Sequence, residues 1–277
     1  MNRTFRRAFI ELTNRCNLSC PFCAPSGRQR GEMPLELFES TAAQAGELAS
    51  VLSLHVLGEP LCHSRFPEAL KVCSRLGLEV NLVTNGLLLD RFAGAVTAEP
   101  CVKQVSISLH ALSAVPQEKR AAALSSLIDF AKRRPPRMIV GFRLRCAAPD
   151  AFFNSTLQSL LKAFGSPGAP ASGFVRLADN VFLNFGGIFS WPGAGAGVPR
   201  NTCLGLKHHF GVLYDGRVIP CCADYDGALA LGSVKEAPLA EILSGPAARA
   251  LRESLSGRAP MPAYCAGCGF TAPDAQS

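Results

Sequence analysis

Along the first two-thirds of the chain, the spacing of hydrophobic and polar positions changes in a repeating order. "RAFIELT" reads as a strand and "PLELFESTAAQAGELAS" as an amphipathic helix, and "VLSLHVLG" with "SRFPEALKVCSRLG" repeats the pair. The order continues with "LEVNLVTNG" and "LLLDRFAGAVT", "VKQVSISLH" and "VPQEKRAAALSSLIDFAKRR", then "RMIVGFRLRC" and "FFNSTLQSLLKAFG". A sixth strand is expected inside "GFVRLADNVFLNF". Six such units predict an α/β fold whose parallel sheet curls into a partial barrel, with its chemistry at the carboxyl ends of the strands.

The glycine- and proline-rich stretch "GGIFSWPGAGAGVPR" breaks this pattern and reads as a linker. Beyond it lie a hairpin, "HFGVLYDGRVIPCC", turning at Asp215-Gly216, and one helix, "PLAEILSGPAARALRESL". This segment is too short to build much core alone. The expected division is a barrel over residues 1–190 and a small second domain over 191–277.

Composition sets the context. The chain has 277 residues, 48 % of them hydrophobic, which is enough to bury a full core. No run of eighteen apolar residues exists and "MNRTFRRAF" lacks an apolar continuation, so neither a membrane span nor a signal peptide is expected, and the expected compartment is the cytoplasm. There thiols stay reduced, so the twelve cysteines read as metal ligands, reactive groups or small buried hydrophobes rather than disulfides. Cys62, Cys73, Cys101 and Cys146 lack the spacing of a site and fall in the last class. The net charge of +7 is spread along the chain, so nucleic acid is not the expected partner.

The chemistry concentrates in "TNRCNLSCPFC", after the first strand, where Cys16, Cys20 and Cys23 stand in C-x3-C-x2-C spacing. A 4Fe-4S cube in an electron-transfer protein takes four thiolates. Three leave one iron open to chelate a small molecule, and S-adenosylmethionine has the amino and carboxylate groups to do so. Zinc is the competing reading, but no fourth Cys or His follows within the loop.

With Phe22 directly before the third cysteine, this loop resembles the hallmark of the radical S-adenosylmethionine (radical SAM) superfamily, whose partial barrel also matches the strand–helix order. The resemblance implies reductive cleavage of S-adenosylmethionine to a 5′-deoxyadenosyl radical, fed by a flavodoxin- or ferredoxin-type electron donor. It implies a cofactor role for Gly58, Glu59 and Pro60, in the place of the family's Gly-Gly-Glu-Pro motif, with Leu57 replacing the first glycine. "TNG", with Asn85, is similar to the family's cleft lining, against the simpler reading of an Asn-Gly turn. On the fourth strand the resemblance makes Ser106 and Ser108 candidates for the ribose, with His110 on the same face by alternation. On the fifth, Arg145 is preferred over Arg143 as a carboxylate clamp.

The C-terminal cysteines Cys203, Cys221, Cys265 and Cys268, with Gly216 ahead of Cys221 in a G-x4-C arrangement, resemble the shortened "twitch" form of the SPASM domain. That resemblance implies one auxiliary 4Fe-4S cluster, two clusters in all, against a zinc ribbon as the alternative. Whether Cys221 or Cys222 is the ligand stays open; Cys222 is read as the spare thiol and a candidate hydrogen donor.

The barrel pattern starts near residue 8, which gives an expectation of no N-terminal leader-recognition domain. On that basis the favoured substrate is a small polar metabolite such as a sugar or cyclitol, oxidised with the auxiliary cluster as electron acceptor. The layout is closest to aminocyclitol dehydrogenases. The alternatives are a maturase or epimerase acting on a ribosomally made peptide, and a non-catalytic iron–sulfur or zinc module.

Overall fold

The computed structural model describes residues 3–166, 173–193 and 203–269. In chain order the elements are β1 (Phe5–Ile10), α1 (Leu35–Leu48), β2 (Ala49–Leu54), α2 (Phe66–Arg75), β3 (Val80–Thr84) and α3 (Leu89–Ala98). Next come β4 (Val102–Ser108), α4 (Gln117–Arg133), β5 (Ile139–Cys146), α5 (Ala151–Phe164), β6 (Phe174–Ala178) and β7 (Val181–Gly187). The last are β8 (His209–Val212), β9 (Arg217–Ile219), β10 (Gly232–Ser233), α6 (Leu239–Ser244), α7 (Pro246–Leu255) and α8 (Ala263–Ala266). The strand–helix order read from the sequence is present through α5. The chain folds as two compact units, one of residues 1–15, 24–58 and 189–277, the other of residues 16–23 and 59–188.

In the first unit, β1 pairs in parallel with β2 on one side and with β8 on the other. Residues in register share a face, and Ile10, Leu54 and Val212 stand in one row with no exposure at all. The opposite face carries the Phe9 ring, edge-on to His55 and His209 at 5.3 and 5.4 Å. On α1 the buried positions Phe38, Ala42 and Ala45 form one helical stripe. β8 and β9 form the hairpin predicted at Asp215-Gly216, with Gly216 at φ +95°.

The sequence gives no sign that β8 joins β1. The C-terminal segment is too small to bury both faces of its own hairpin, and the edge of β1 supplies the partner. The single helix expected near the C-terminus is two helices, α6 and α7, because Pro246 removes an N–H, fixes φ, and starts a new helix after Gly245. Trp191, within the expected linker, packs with Phe189 and Tyr225 at ring distances of 5.0 and 5.4 Å. The rest of that linker, from residue 194, lies outside the described residues.

In the second unit, β3, β4, β5 and β7 form a parallel series, and β6 adds antiparallel to β7. The single strand expected in "GFVRLADNVFLNF" is therefore a hairpin. It turns at Asp179-Asn180, where Asn180 takes the left-handed conformation that asparagine tolerates. Val105, Ile107, Val140, Phe142 and Leu144 make the fully buried face, with the Phe142 ring 6.4 Å from Phe164 of α5. Helix α5 is fixed at both ends: the Asp150 carboxylate accepts from the Phe153 N–H at 2.7 Å, and Gly165 closes it in the left-handed conformation. The other face of these strands is polar and carries Ser106, Ser108, Arg143 and Arg145.

Candidate active site

The residues flanking the three-cysteine loop are tied to each other. Thr13 Oγ1 donates to the Gly31 carbonyl at 2.7 Å, Asn14 Nδ2 donates to the Gln29 carbonyl at 2.8 Å, and Asn14 Oδ1 accepts from the Gly31 N–H at 2.7 Å. Thr13 and Glu32 form an isolated bridge. The residues between are thus held as a closed loop while their side chains stay accessible: Cys16 and Cys23 are exposed and Cys20 is half-buried. A backbone bond from Cys23 N–H to the Cys20 carbonyl, 3.1 Å, turns the second and third cysteines together. Burial raises the Cys20 thiol to about 11, helped by Cys16 and Cys23 beside it. Three soft donors that repel one another as thiolates suit a positively charged iron–sulfur core.

The Leu57–Leu61 turn is built around Gly58, at φ +71°. A Cβ there would lie 2.4 Å from the Thr13 carbonyl oxygen and 2.7 Å from that of Arg15, so only glycine fits against the strand leading to the cysteines. Glu59, 1 % exposed, accepts three hydrogen bonds. They come from Leu61 N–H at 3.2 Å, Thr84 Oγ1 at 2.7 Å and Asn85 N–H at 2.7 Å. Burial outweighs these bonds and pushes its carboxyl up to about 7. A carboxylate has about four acceptor sites, so one is left for a ligand.

Glu59 also joins two motifs that the sequence shows separately. Asn85, held by that carboxylate through its N–H, donates from Nδ2 to Asn17 Oδ1 at 2.8 Å and to the Cys16 sulfur at 3.8 Å. The "TNG" turn is thus hydrogen-bonded to the cysteine loop. Gly86 takes the left-handed conformation at φ +85°, and a Cβ there would lie 2.6 Å from a Leu127 methyl, which would have to shift.

The remaining candidates on β4 and β5 divide. Ser106 donates to Asn81 Oδ1 and accepts from Gln104 Nε2, both at 3.0 Å, so its hydroxyl is occupied within the sheet. Ser108 stands beside Arg143 in register. His110 departs from the expected alternation because β4 ends at Ser108 and His110 sits in a 3-10 turn, Leu109–Ala114. It still reaches the cysteine loop, with its ring 5.0 Å from that of Phe22. Its Nδ1 lies 3.2 Å from the Arg143 carbonyl. A carbonyl only accepts, so Nδ1 carries the proton and Nε2 keeps its lone pair. Burial lowers the His110 pKa to about 4, with the charges of Arg143 and Arg145 adding to the effect. Arg145 donates to the backbone carbonyl of Asn184 at 3.0 Å and to that residue's side-chain oxygen.

The second thiol group lines one cavity: Cys203, Cys221, Cys265 and Cys268, with Asp224 and Tyr264. Cys222 is not part of that lining. It packs instead against an apolar cluster of Phe9, Ala24, Val56, Leu57, Leu213, Ile219 and Tyr225. Cys221 and Cys222 both follow β9 in a bend and turn, where the chain reverses and sends the two thiols into different surroundings. Burial drives the Cys221 thiol well up, with Cys222 and Cys203 contributing. The Asp224 carboxylate accepts from Ala228 and Leu229 N–H at 2.8 and 3.0 Å and shapes the wall beside it.

Among the cysteines set aside as small hydrophobes, Cys73 and Cys101 are buried, but Cys62 and Cys146 are half-buried. The Cys62 thiol accepts a bond from the Asn17 N–H, against the cysteine loop. Its place right after Glu59-Pro60-Leu61 was the available signal. Sequence reasoning also missed Glu11 and Arg28, a buried pair that meets at 2.6 Å. A lone acid at the end of the apolar run "RAFIEL" was its signal.

Residues 10–125 match the radical SAM superfamily and residues 203–269 match SPASM, an iron-sulfur cluster-binding domain. The chain therefore carries a radical SAM domain followed by a SPASM domain. The first implies S-adenosylmethionine and a 4Fe-4S cluster, the second further iron–sulfur ligation. Among curated proteins, the PqqA peptide cyclase of Gluconobacter oxydans (strain 621H) is 40 % identical over 84 residues, 29 % of this chain and 23 % of that protein. The chain thus spans about a quarter of the length of such relatives. Among solved structures, BtrN in complex with AdoMet and 2-DOIA aligns with a TM-score of 0.58 at 17 % identity, covering 98 % of this chain and 95 % of that one. Streptococcus suis SuiB bound to precursor peptide SuiA aligns with a TM-score of 0.64 at 14 % identity, covering 96 % and 70 %. At these identities the structures share the fold alone. The radical SAM domain marks the chain as an enzyme.

Proposed function

We propose that this protein is a radical SAM peptide-modifying enzyme, and the observation that carries the reading is its sequence match to PqqA peptide cyclases. The sugar or cyclitol substrate favoured from sequence becomes the second reading. It is kept because BtrN, whose structure was solved with 2-DOIA, matches this chain over nearly the full length of both.

In the proposed site, Cys16, Cys20 and Cys23 hold the first cluster, and Gly58, Glu59, Pro60 and Asn85 hold the methionyl end of S-adenosylmethionine. When bound, the pair supplies a hydrogen-abstracting 5′-deoxyadenosyl radical. The chain's own residues orient and shield. Glu59 offers its remaining acceptor site to an ammonium while fixing the Asn85 turn, and Asn85 steadies Cys16 through its side-chain amide. Phe22, backed by the neutral His110 ring, forms a flat wall beside Cys23. Ser106, Ser108 and Arg145 line the polar strand face, Arg145 as a carboxylate clamp. Cys203, Cys221, Cys265 and Cys268 hold one auxiliary 4Fe-4S cluster, and Cys222 stays a thiol with the role of hydrogen donor if the reaction is an epimerisation.

The working division follows the chain, with the cofactor domain over 1–190 and the auxiliary domain over 191–277. A flavodoxin- or ferredoxin-type donor supplies the electron, and exposed thiols of this kind suit the reducing cytoplasm. Among the described residues no helix is long and apolar enough to cross a membrane.

The test incubates the reconstituted enzyme anaerobically with reductant, S-adenosylmethionine and either short peptides encoded beside its gene or aminocyclitols. Deoxyadenosine formation coupled to a changed peptide mass supports the proposal. Coupling to aminocyclitol oxidation, with peptides unchanged, replaces it with the second reading.

A further inference from the structure

Glu11 follows directly on β1 inside the core with no exposure, and its carboxylate is shared by three distant segments of the same unit. Arg28 donates to both oxygens, from Nη2 to Oε1 at 2.6 Å and from Nη1 to Oε2 at 2.8 Å. Oε1 also accepts from the Leu57 N–H at 3.1 Å, and Oε2 from the Tyr214 N–H at 3.1 Å. All four acceptor positions are used. Leu57 is the residue before Gly58 and Glu59. Arg28 follows the cysteine loop, and Tyr214 opens the β8–β9 turn of the SPASM segment.

Tyr214 adds two contacts to the same joint. Its hydroxyl donates to the Gln29 carbonyl at 2.8 Å, and its ring covers Gly31, where a Cβ would come within 2.4 Å of it. The Arg28 guanidinium carbon lies 5.6 Å from the Tyr214 ring centre, and its Nε faces Asp226 at 3.8 Å. So large a convergence on one buried carboxylate fixes the turn before Gly58 and, through Tyr214, ties it to the auxiliary domain.

We infer that Glu11 is a positioning residue for S-adenosylmethionine: with Arg28 it holds the Leu57 amide, and so the entry to the Gly58-Glu59 turn, in the geometry that receives the cofactor's methionyl end, and it makes that geometry depend on the SPASM hairpin. The inference rests on the proposed cofactor role of that turn. A plain structural ion pair would stabilise the fold without any special tie to the cofactor.

The chemistry of the amide suggests the variant. Glutamine keeps one acceptor oxygen, and its NH2 cannot face an N–H donor, so Glu11→Gln must release either the Leu57 or the Tyr214 contact. The test measures the S-adenosylmethionine dissociation constant by equilibrium dialysis on reconstituted protein. It also measures thermal stability, iron content, and amide exchange in the peptides covering residues 55–61 and 211–216. Glu11→Gln is expected to weaken binding ten-fold or more, to speed exchange in the peptide whose contact is released and to leave iron content unchanged. Glu11→Gln with Arg28→Leu removes the unpaired buried charge, so stability recovers while cofactor affinity does not.

Recovery of affinity together with stability in the double variant would overturn the inference and leave a structural ion pair. If Glu11→Gln does not fold, the double variant and Arg28→Lys carry the same comparison, since lysine presents a point charge in place of the two-pronged contact. Glu59→Gln is the control that separates the two claims. Weakened binding there with unchanged binding in the Glu11 variants sinks this inference alone. Unchanged binding in both sinks the cofactor reading of the turn along with it.

Discussion

Cys16 and Cys23 stand exposed on a loop whose ends are clamped by Thr13 and Asn14. The four C-terminal thiols instead line a cavity whose other walls are largely apolar, among them Pro192, Leu229, Leu255 and Met261. The first arrangement presents three donors and leaves the side toward solvent open, whereas the second supplies four and surrounds them. On the proposed assignment, a cluster in the loop would keep one iron open to exchange a ligand, whereas one in the cavity would have every iron satisfied by protein and would suit electron transfer.

The comparison can be broken most sharply at the open loop. Replacing Cys16, Cys20 and Cys23 together by Ala should reduce the iron content from about eight per chain to about four and abolish deoxyadenosine formation. Retained cleavage under dithionite would show that the loop is not the catalytic site. The closed site is tested by two neighbours. Cys221→Ala should lose the second cluster, and the enzyme should cleave S-adenosylmethionine yet form little product. Cys222→Ala should keep full iron and most turnover. Reversal of these two outcomes would move the ligand to Cys222. Deuterium oxide sharpens the role of Cys222: one carbon-bound solvent deuterium in the product, lost in Cys222→Ala, would mark an epimerisation.

A smaller effect is expected at Glu59, where the carboxylate supports the turn and also meets the cofactor. Glu59→Gln keeps the side chain's size but weakens a charge-assisted bond and gives up one of the backbone N–H contacts to the turn, so S-adenosylmethionine affinity should fall about ten-fold, or about 1.4 kcal/mol. Equilibrium dialysis gives the answer, and an unchanged constant would leave Glu59 a purely structural residue. The least effect on turnover is expected at His110, which should show itself in stability instead. Its folded pKa of about 4 lies below the ordinary 6.5. The unfolded chain therefore takes up the proton first as pH falls, and stability is lost from about pH 6.5 down to 4. His110→Gln should flatten part of that slope in thermal melts and leave stability above pH 7 unchanged. His209, also lowered to about 4 by burial, keeps the remainder.

The barrel order was legible because its strands and helices differ in period and the helices carry local stop signals. The three-cysteine loop was legible because all its thiols are neighbours in the sequence. What escaped depends on contacts between remote segments. Nothing local says that β8 will pair with β1, or that the carboxylate of Glu59 will hold the "TNG" turn. The choice between Cys221 and Cys222 could not be made either, since spacing treats adjacent thiols alike and only their different surroundings in the fold separate them. Ser106 looked available by alternation, yet Asn81 and Gln104 already take its hydroxyl.

The parallel pairing of β8 with β1 also orders events during synthesis. β1 leaves the ribosome well before β8, so the β1 edge that β8 covers has no partner until the SPASM segment has been made. Contacts between such distant parts of a chain form slowly, and an uncovered strand edge invites pairing with other molecules. In the finished protein the SPASM hairpin covers that edge, so the C-terminal segment protects the completed sheet, and not the nascent one, from edge-to-edge pairing.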